Sequence, residues 1–177
     1  MRLHYSIFLA SIFILTQLNL IGQVKSNKVK EAILNADTVL LVSHNLTEQK
    51  IVEDKPGGGV RKSPPIVLRG RPNKKIIHET VLLNSGLKNQ LISILTQPNN
   101  DGEMKAMQCF LPHHSILLIK GGKTSFIEIC FACQNLVTSN EIGTSDINYP
   151  KIMWKQLETF FKSQGIKYQI PFNYVKE

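Results

Sequence analysis

The spacing of apolar residues divides the chain into short strands and helices separated by polar segments. Runs rich in apolar and β-branched residues predict strands at 38–42, 66–68 and 75–83. Two further apolar runs, 115–119 and 124–129, lie on either side of Lys120-Gly121-Gly122-Lys123. Because paired glycines supply the positive φ angles of a two-residue turn, these runs predict a β-hairpin in which Lys120 faces Lys123.

Helices are predicted where apolar residues recur three and four positions apart. One covers 28–36, a second is capped by Asn84 or Ser85, and a third has Pro150 as its first helical position and stops at Gly165. The apolar faces of the last two are Leu87, Leu91, Ile94 and Leu95, and Met153, Leu157, Phe160 and Phe161. This order of elements indicates an α+β fold: a small antiparallel sheet, including the Gly-Gly hairpin, covered by two or three helices.

The first residues have the pattern of a secretory signal peptide. Arg2 gives a positive start, residues 7–15 form an apolar stretch, and a lysine-bearing polar segment follows Gly22. The apolar stretch is shorter than the roughly 20 residues of a membrane-spanning helix. We expect residues 1–23 to be a signal peptide and residues 24–177 to be one domain, with an uncleaved N-terminal anchor as the alternative. The mature chain is then secreted or periplasmic, and not an integral membrane protein.

The chain is basic, with 21 Lys and Arg against 13 Asp and Glu and a formal charge of +8. Cations without an intervening acid are concentrated at 55–75, and Gly and Pro residues predict a mobile basic loop around 43–65. A basic exported domain favours an anionic envelope component as partner, and another exported protein is the alternative. Nucleic acid is not expected, because no aromatic residues that could stack on bases interrupt these cations.

Four residues form a candidate metal site, namely Cys109, His113, Cys130 and Cys133. The hairpin register places His113 opposite Cys130, and side-chain alternation puts Cys109 on the same face if the strand extends that far. Cys133 joins them only if the chain bends after Cys130. Three thiolates and one imidazole suit a tetrahedral structural zinc ion, which is the cofactor we expect. His114 faces the other side of the strand and serves as a core residue, a support or an alternative ligand.

Other uses of the cysteines remain open. The chain has three, so one intramolecular disulfide can form, and an oxidising compartment favours it. The expected pairings are Cys109 with Cys130 or with Cys133, and inert buried thiols are a further possibility. Cys130-x2-Cys133 also has the spacing of a thiol–disulfide redox motif, although too little chain follows for such a fold. Cys109 with a neighbouring histidine could also form a nucleophile–base pair, but no third residue is placed to orient the base.

The segment 108–134 resembles a group of small exported bacterial proteins of uncharacterised function. The resemblance rests on Cys109-x3-His113 before the hairpin and on Ile129-Cys130-Phe131-Ala132-Cys133 at its close. It implies that the Cys/His hairpin is the distinctive feature of the group, and it implies no activity. We therefore expect an exported, non-enzymatic binding or envelope-associated domain with a structural zinc site and no catalytic residues. The alternative is a disulfide-stapled or thiol-active exported protein with redox activity.

Overall fold

The structure, a computed structural model, describes residues 28–47, 64–98, 110–143 and 149–170. The predicted signal peptide and most of the predicted basic loop lie outside these ranges. Within them the chain forms three helices and seven strands. In chain order these are α1 (28–35), β1 (Thr38–His44), β2 (Val67–Leu68), β3 (Arg71–Pro72), β4 (Ile77–Leu82), α2 (Ser85–Leu95), β5 (His114–Lys120), β6 (Lys123–Cys130), β7 (Asn135–Thr138) and α3 (Lys151–Ser163).

Five of the strands form an antiparallel sheet in the order β4-β1-β5-β6-β7. The predicted Gly-Gly hairpin joins β5 to β6, and Lys120 pairs with Lys123 as expected. Gly121 and Gly122 have φ angles of 55° and 76°, the left-handed values that a two-residue turn with matching twist requires. β1 lies between β4 and β5, so the first of the described strands is an interior strand of the sheet.

The three helices supply the main core, which lies against one face of the sheet. Every second residue of the inner strands points to this face, as the period of a strand requires. Phe160, Phe161 and Leu157 of α3 are buried here, together with Leu91 of α2 and Ile33 of α1. The predicted apolar faces of the helices are confirmed, since all but the partly buried Leu87 lie in this core.

The opposite face of the sheet is covered by the short β2–β3 hairpin and the residues beside it. Ile66 and Ile76 pack with Val42 and Leu117 in a second, smaller core. The hairpin turns through Arg69 and Gly70, and Thr124 of β6 donates its backbone N–H to the Gly70 carbonyl at 3.0 Å. This hairpin therefore lies beside the end of β6 that carries the Gly-Gly turn.

Local chemistry fixes the helix ends close to the predicted positions. The Asn84 side chain caps α2 by accepting the backbone N–H of Leu87 at 2.9 Å. Pro150 is the cap of α3 and not its first helical residue, a difference of one position. Gly165, with φ of 92°, follows the end of α3, and the backbone N–H of Ile166 returns to the Phe161 carbonyl at 3.2 Å. This is the Schellman arrangement that glycine favours after a helix.

The α+β prediction is confirmed, and the differences concern short strands. β1 continues through Ser43 to His44, two residues beyond the predicted strand. The sequence pattern predicts neither β3, where Arg71 and Pro72 pair with β2, nor β7. In the described part of the chain, no helix combines the length and the apolar character needed to cross a membrane.

Candidate site at the histidine end of the sheet

All four histidines among the described residues lie at one end of the five-stranded sheet. β1 ends at His44, β4 begins just before His78, and β5 begins at His114, which directly follows His113. Because adjacent strands are antiparallel, the last residue of one strand lies beside the first residue of the next. β6 ends at this same place with Cys130, so the described residues of the predicted site lie at the same end of the sheet. We call this region the histidine end.

His44 and Ser115 form a buried pair in the face opposite the helices. The Nε2 atom of His44 lies 2.8 Å from the Ser115 hydroxyl, and Nδ1 lies 2.7 Å from the Asn45 carbonyl oxygen. A carbonyl can only accept, so Nδ1 carries the proton and Nε2 accepts from Ser115. This is the hydrogen-bond pattern of a serine nucleophile and its base. Both residues are fully buried, however, so a substrate has no approach to the hydroxyl, and the pair is a structural contact.

Tyr168 closes the histidine end from the segment that follows α3. Its ring lies 4.2 Å from the ring of His78 and 6.1 Å from that of His113, measured between centroids. Its hydroxyl donates to the Asn45 side-chain oxygen at 3.3 Å, and its carbonyl accepts from Nε2 of His114 at 2.8 Å. One residue thus ties three strands to the C-terminal segment.

Glu79 of β4 also binds the segment that follows α3, through the backbone of that segment. Its carboxylate accepts the Ser43 hydroxyl at 2.6 Å and the backbone N–H groups of Lys167 and Tyr168 at 3.0–3.1 Å. Burial alone would raise the pKa of Glu79, but these hydrogen bonds outweigh burial and lower it. Glu128 is the contrasting case, because burial raises its pKa and a hydrogen bond from Thr47 opposes that rise only in part.

Burial holds the inner histidines in their neutral forms. It lowers the pKa of His44 and of His114 from 6.5 to about 4, although each donates to a backbone carbonyl, a contact that favours the charged form. Burial also lowers the pKa of His113, whose Nδ1 donates to the His44 carbonyl at 3.2 Å. At neutral pH the rings of His44, His113 and His114 are therefore uncharged, whereas the Glu79 carboxylate is ionised.

The structure joins Cys130 to Cys133 in a disulfide. The expected pairings with Cys109 differ from this bond, and Cys109 itself lies outside the described residues. The physical reason is local: a four-residue turn at 131–134 connects β6 to β7 and brings the two Cα atoms to 5.3 Å, within the range of a disulfide. Cys130 and Cys133 are 1% and 2% exposed, so the bond lies inside the fold.

The predicted zinc ligands are therefore only partly placed. The observed register ends with His114 opposite Ile129, and continued by one pair it would set His113 opposite Cys130. His114 points to the helices, as expected, with its ring 5.0 Å from that of Phe131 and 5.8 Å from that of Phe161. Among the described residues, no group of three or more His, Cys, Asp and Glu side chains is arranged to hold a metal ion. With Cys109 not described, zinc binding by Cys109, His113, Cys130 and Cys133 stays a prediction.

Sequence reasoning missed most of the network that surrounds these residues. The predicted site contains none of His44, His78, Glu79, Ser115 and Tyr168. Each is joined to partners far along the chain, since Ser43 and Glu79 are 36 residues apart and His44 and Ser115 are 71 apart. The pairing of β1 with β4 and β5, together with the position of the segment after α3, brings them together, so no local pattern marks them.

Comparison with protein-family models, with curated proteins and with solved structures finds no match to this chain. The function must therefore be argued from the histidine end and the surface of the fold.

Proposed function

We propose that this protein is an exported, non-enzymatic binding or envelope-associated domain whose histidine end is held by a structural disulfide between Cys130 and Cys133. The observation that carries the proposal is the buried disulfide. Disulfides persist in oxidising compartments and are rare in the cytosol, so a structural disulfide agrees with the signal-peptide pattern of residues 1–23.

The surroundings of the disulfide favour a structural role over thiol–disulfide exchange. A redox cysteine needs an accessible sulfur and a lowered thiol pKa, commonly at a helix N-terminus. Here both cysteines are buried, and the turn after Cys130 leads into β7 and not into a helix. The disulfide instead closes the connection between two strands, and Phe131 within that turn packs against His114 and Phe161. The disulfide thereby helps to hold Phe131 in contact with His114 and Phe161.

A structural zinc ion is the second candidate and belongs to the reduced chain. The hairpin register supports this candidate. Continued by one pair, it sets His113 opposite Cys130, so a thiolate and an imidazole would lie on one face. The two candidates exclude each other, since a sulfur in a disulfide is not a thiolate ligand. Zinc binding would therefore require both cysteines to be reduced, with Cys109 as a third thiolate.

The test is to express the full chain, isolate the exported protein without reducing agent, and measure its N-terminus, free thiols and metal content. We expect an N-terminus near Gln23 or Val24, one reactive thiol under denaturing conditions, and no stoichiometric metal. Cys109→Ser is the control and should remove that thiol. Finding one equivalent of zinc and three free thiols would show that the cysteines form the metal site and not the disulfide. Retention of the intact chain inside the cell would overturn the proposal of export.

Fast turnover of a small dithiol or disulfide substrate would overturn the non-enzymatic part of the proposal. Rapid alkylation of Cys130 in the reduced, folded protein near neutral pH would indicate an activated thiol. Slow alkylation, accelerated by urea, is the result expected for a buried structural cysteine.

A further inference from the structure

Two short hairpin turns lie side by side at the end of the sheet opposite the histidine end. One is the Gly121-Gly122 turn between β5 and β6, and the other is the Arg69-Gly70 turn between β2 and β3. The hydrogen bond from the Thr124 N–H to the Gly70 carbonyl joins them directly. Both turns are therefore parts of one surface.

This surface presents four exposed cations, Arg69, Arg71, Lys120 and Lys123. Lys120 and Lys123 are paired across the β5–β6 hairpin, where like charges destabilise a strand pair. The nearby carboxylate of Asp37 accepts the Gly121 N–H, and none of the four cations is in an ion pair with another described residue. Asp37 offsets part of this charge, and Glu31 and Glu141 line a groove together with Lys120, so the excess positive charge is concentrated at Arg69, Arg71 and Lys123.

The backbone at Arg69 is a second, independent feature of this surface. Arg69 has φ of 53°, a left-handed conformation that costs a residue with a Cβ roughly 1–2 kcal/mol. Asn, Asp or Gly takes this turn position more easily. An arginine therefore stands at the tip of the hairpin where the turn alone would favour a smaller residue.

One exposed apolar side chain lies beside the cations, and a second lies on the same side of the sheet at its β4 edge. Leu68 pairs with Arg71 and is 51% exposed, while its neighbour Val67 packs inward on the second core. Leu82, 66% exposed, pairs with Leu40, whose other partner is the buried Leu117 of that same core. An apolar row thus continues from the second core to an open edge on the side of the sheet that carries the β2–β3 hairpin.

We propose that this face, consisting of Arg69, Arg71, Lys120, Lys123, Leu68 and Leu82, docks on a membrane surface rich in acidic phospholipids. Cations attract anionic headgroups, and the adjacent leucines can enter the boundary between headgroups and acyl chains. Charge alone would fit a soluble anionic polymer equally well, and the exposed leucines favour the lipid surface. The inference rests on the proposed export of the domain and gives its anionic partner a chemical identity.

The experiment measures binding of the exported protein to vesicles of phosphatidylcholine and phosphatidylglycerol, mixed in about a 2:1 ratio, against phosphatidylcholine alone. Binding is expected only to the anionic vesicles and should weaken when salt is raised. Each basic residue near such a surface contributes about a fivefold gain in affinity, so Arg69→Gln with Arg71→Gln should weaken binding about 25-fold. Leu68→Ser should weaken it about fivefold.

Matched controls separate this face from general charge and hydrophobicity. Lys30→Gln with Lys155→Gln removes the same charge from exposed positions on α1 and α3, and Ile152→Ser removes an apolar side chain that is 52% exposed, close to the exposure of Leu68. All variants carry the same N-terminus, so any contribution from that segment cancels. Circular dichroism and the unfolding midpoint confirm that each variant is folded.

Equal binding to both vesicle types, or equal losses in the control variants, would overturn the proposal. If polyphosphate in solution competes fully and Leu68→Ser has no effect, the partner is an anionic polymer and not a lipid surface. Neither result bears on the disulfide or on export, which the thiol count and the mature N-terminus test independently.

Discussion

Acid should weaken the fold through two histidines that it buries. His44 and His114 are 0% and 2% exposed, and burial lowers the pKa of each from 6.5 to about 4. The unfolded chain takes up a proton at each ring near pH 6.5, whereas the folded chain does so only near pH 4. Between these values the unfolded state binds more protons. The free energy of unfolding is therefore highest above pH 6.5 and falls as the pH drops toward 4.

The size of the effect follows from these pKa values. At pH 5 each histidine should cost about 2 kcal/mol relative to pH 7.5, and the two together about 4 kcal/mol. A domain of this size is stable by only about 5–15 kcal/mol, so the loss is large. Glu128 acts in the opposite direction, because its raised pKa lets the fold take up a proton before the unfolded chain does. The lowered pKa of Glu79 adds a further loss of stability, but only below its ordinary value of 4.5.

Urea unfolding at pH 7.5 and pH 5, followed by the fluorescence of Trp154, measures this loss. Trp154 is the only tryptophan in the chain and is buried against the main core, so its emission should change on unfolding. His44→Gln should reduce the pH-dependent loss by about half, because one of the two buried rings is removed. The matched control His78→Gln alters an exposed ring of the same network.

The result that would refute this reasoning is an equal free energy of unfolding at the two pH values. An undiminished loss in His44→Gln would show that the proton uptake occurs elsewhere. The comparison uses the difference between the two pH values within each protein, so a lower starting stability of His44→Gln does not affect it.

Three further predictions concern stability at neutral pH. Breaking the Cys130–Cys133 disulfide by replacing both residues with Ala should cost about 2 kcal/mol, because the closed loop is short; an unchanged urea midpoint would contradict this. Phe161→Ala should cost about 3–5 kcal/mol by opening a cavity in the main core, whereas Ile152→Ala on the exposed side of the same helix should change the unfolding midpoint little. Asn84→Ala should cost about 1 kcal/mol, and Asn84→Asp, which keeps a side-chain acceptor, should recover most of it in the same assay.

Local signals account for the parts of the fold that the sequence predicts. Asn84 at a helix start and Gly165 after a helix end act through hydrogen bonds to nearby backbone groups, so the residues themselves mark the positions. Gly121-Gly122 determines the hairpin register for the same reason. β7 has no such signal: it is four residues long, and Gln134 takes the left-handed conformation in the turn before it where a glycine would have marked the turn.

The candidate site could be predicted only as far as the hairpin register reaches. That register brings His113 toward Cys130, but it does not show that the turn after Cys130 is tight enough to bring Cys133 back to its sulfur. The remaining contacts, such as the bond from His114 to the Tyr168 carbonyl, join residues 54 positions apart. They depend on how α3 and the segment after it lie against the sheet, which no short pattern contains.

The interior position of β1 also has a consequence for the order in which the chain can fold. Among the described strands β1 leaves the ribosome first, but its neighbour β5 is complete only at residue 120, and Tyr168 reaches Glu79 across 89 residues. Such distant pairings must meet the entropic cost of closing long loops before they contribute stability, so we expect the sheet to form slowly and late in synthesis. The proposed export would benefit from this delay, because a chain that has not yet formed its sheet can pass through a membrane in an extended state.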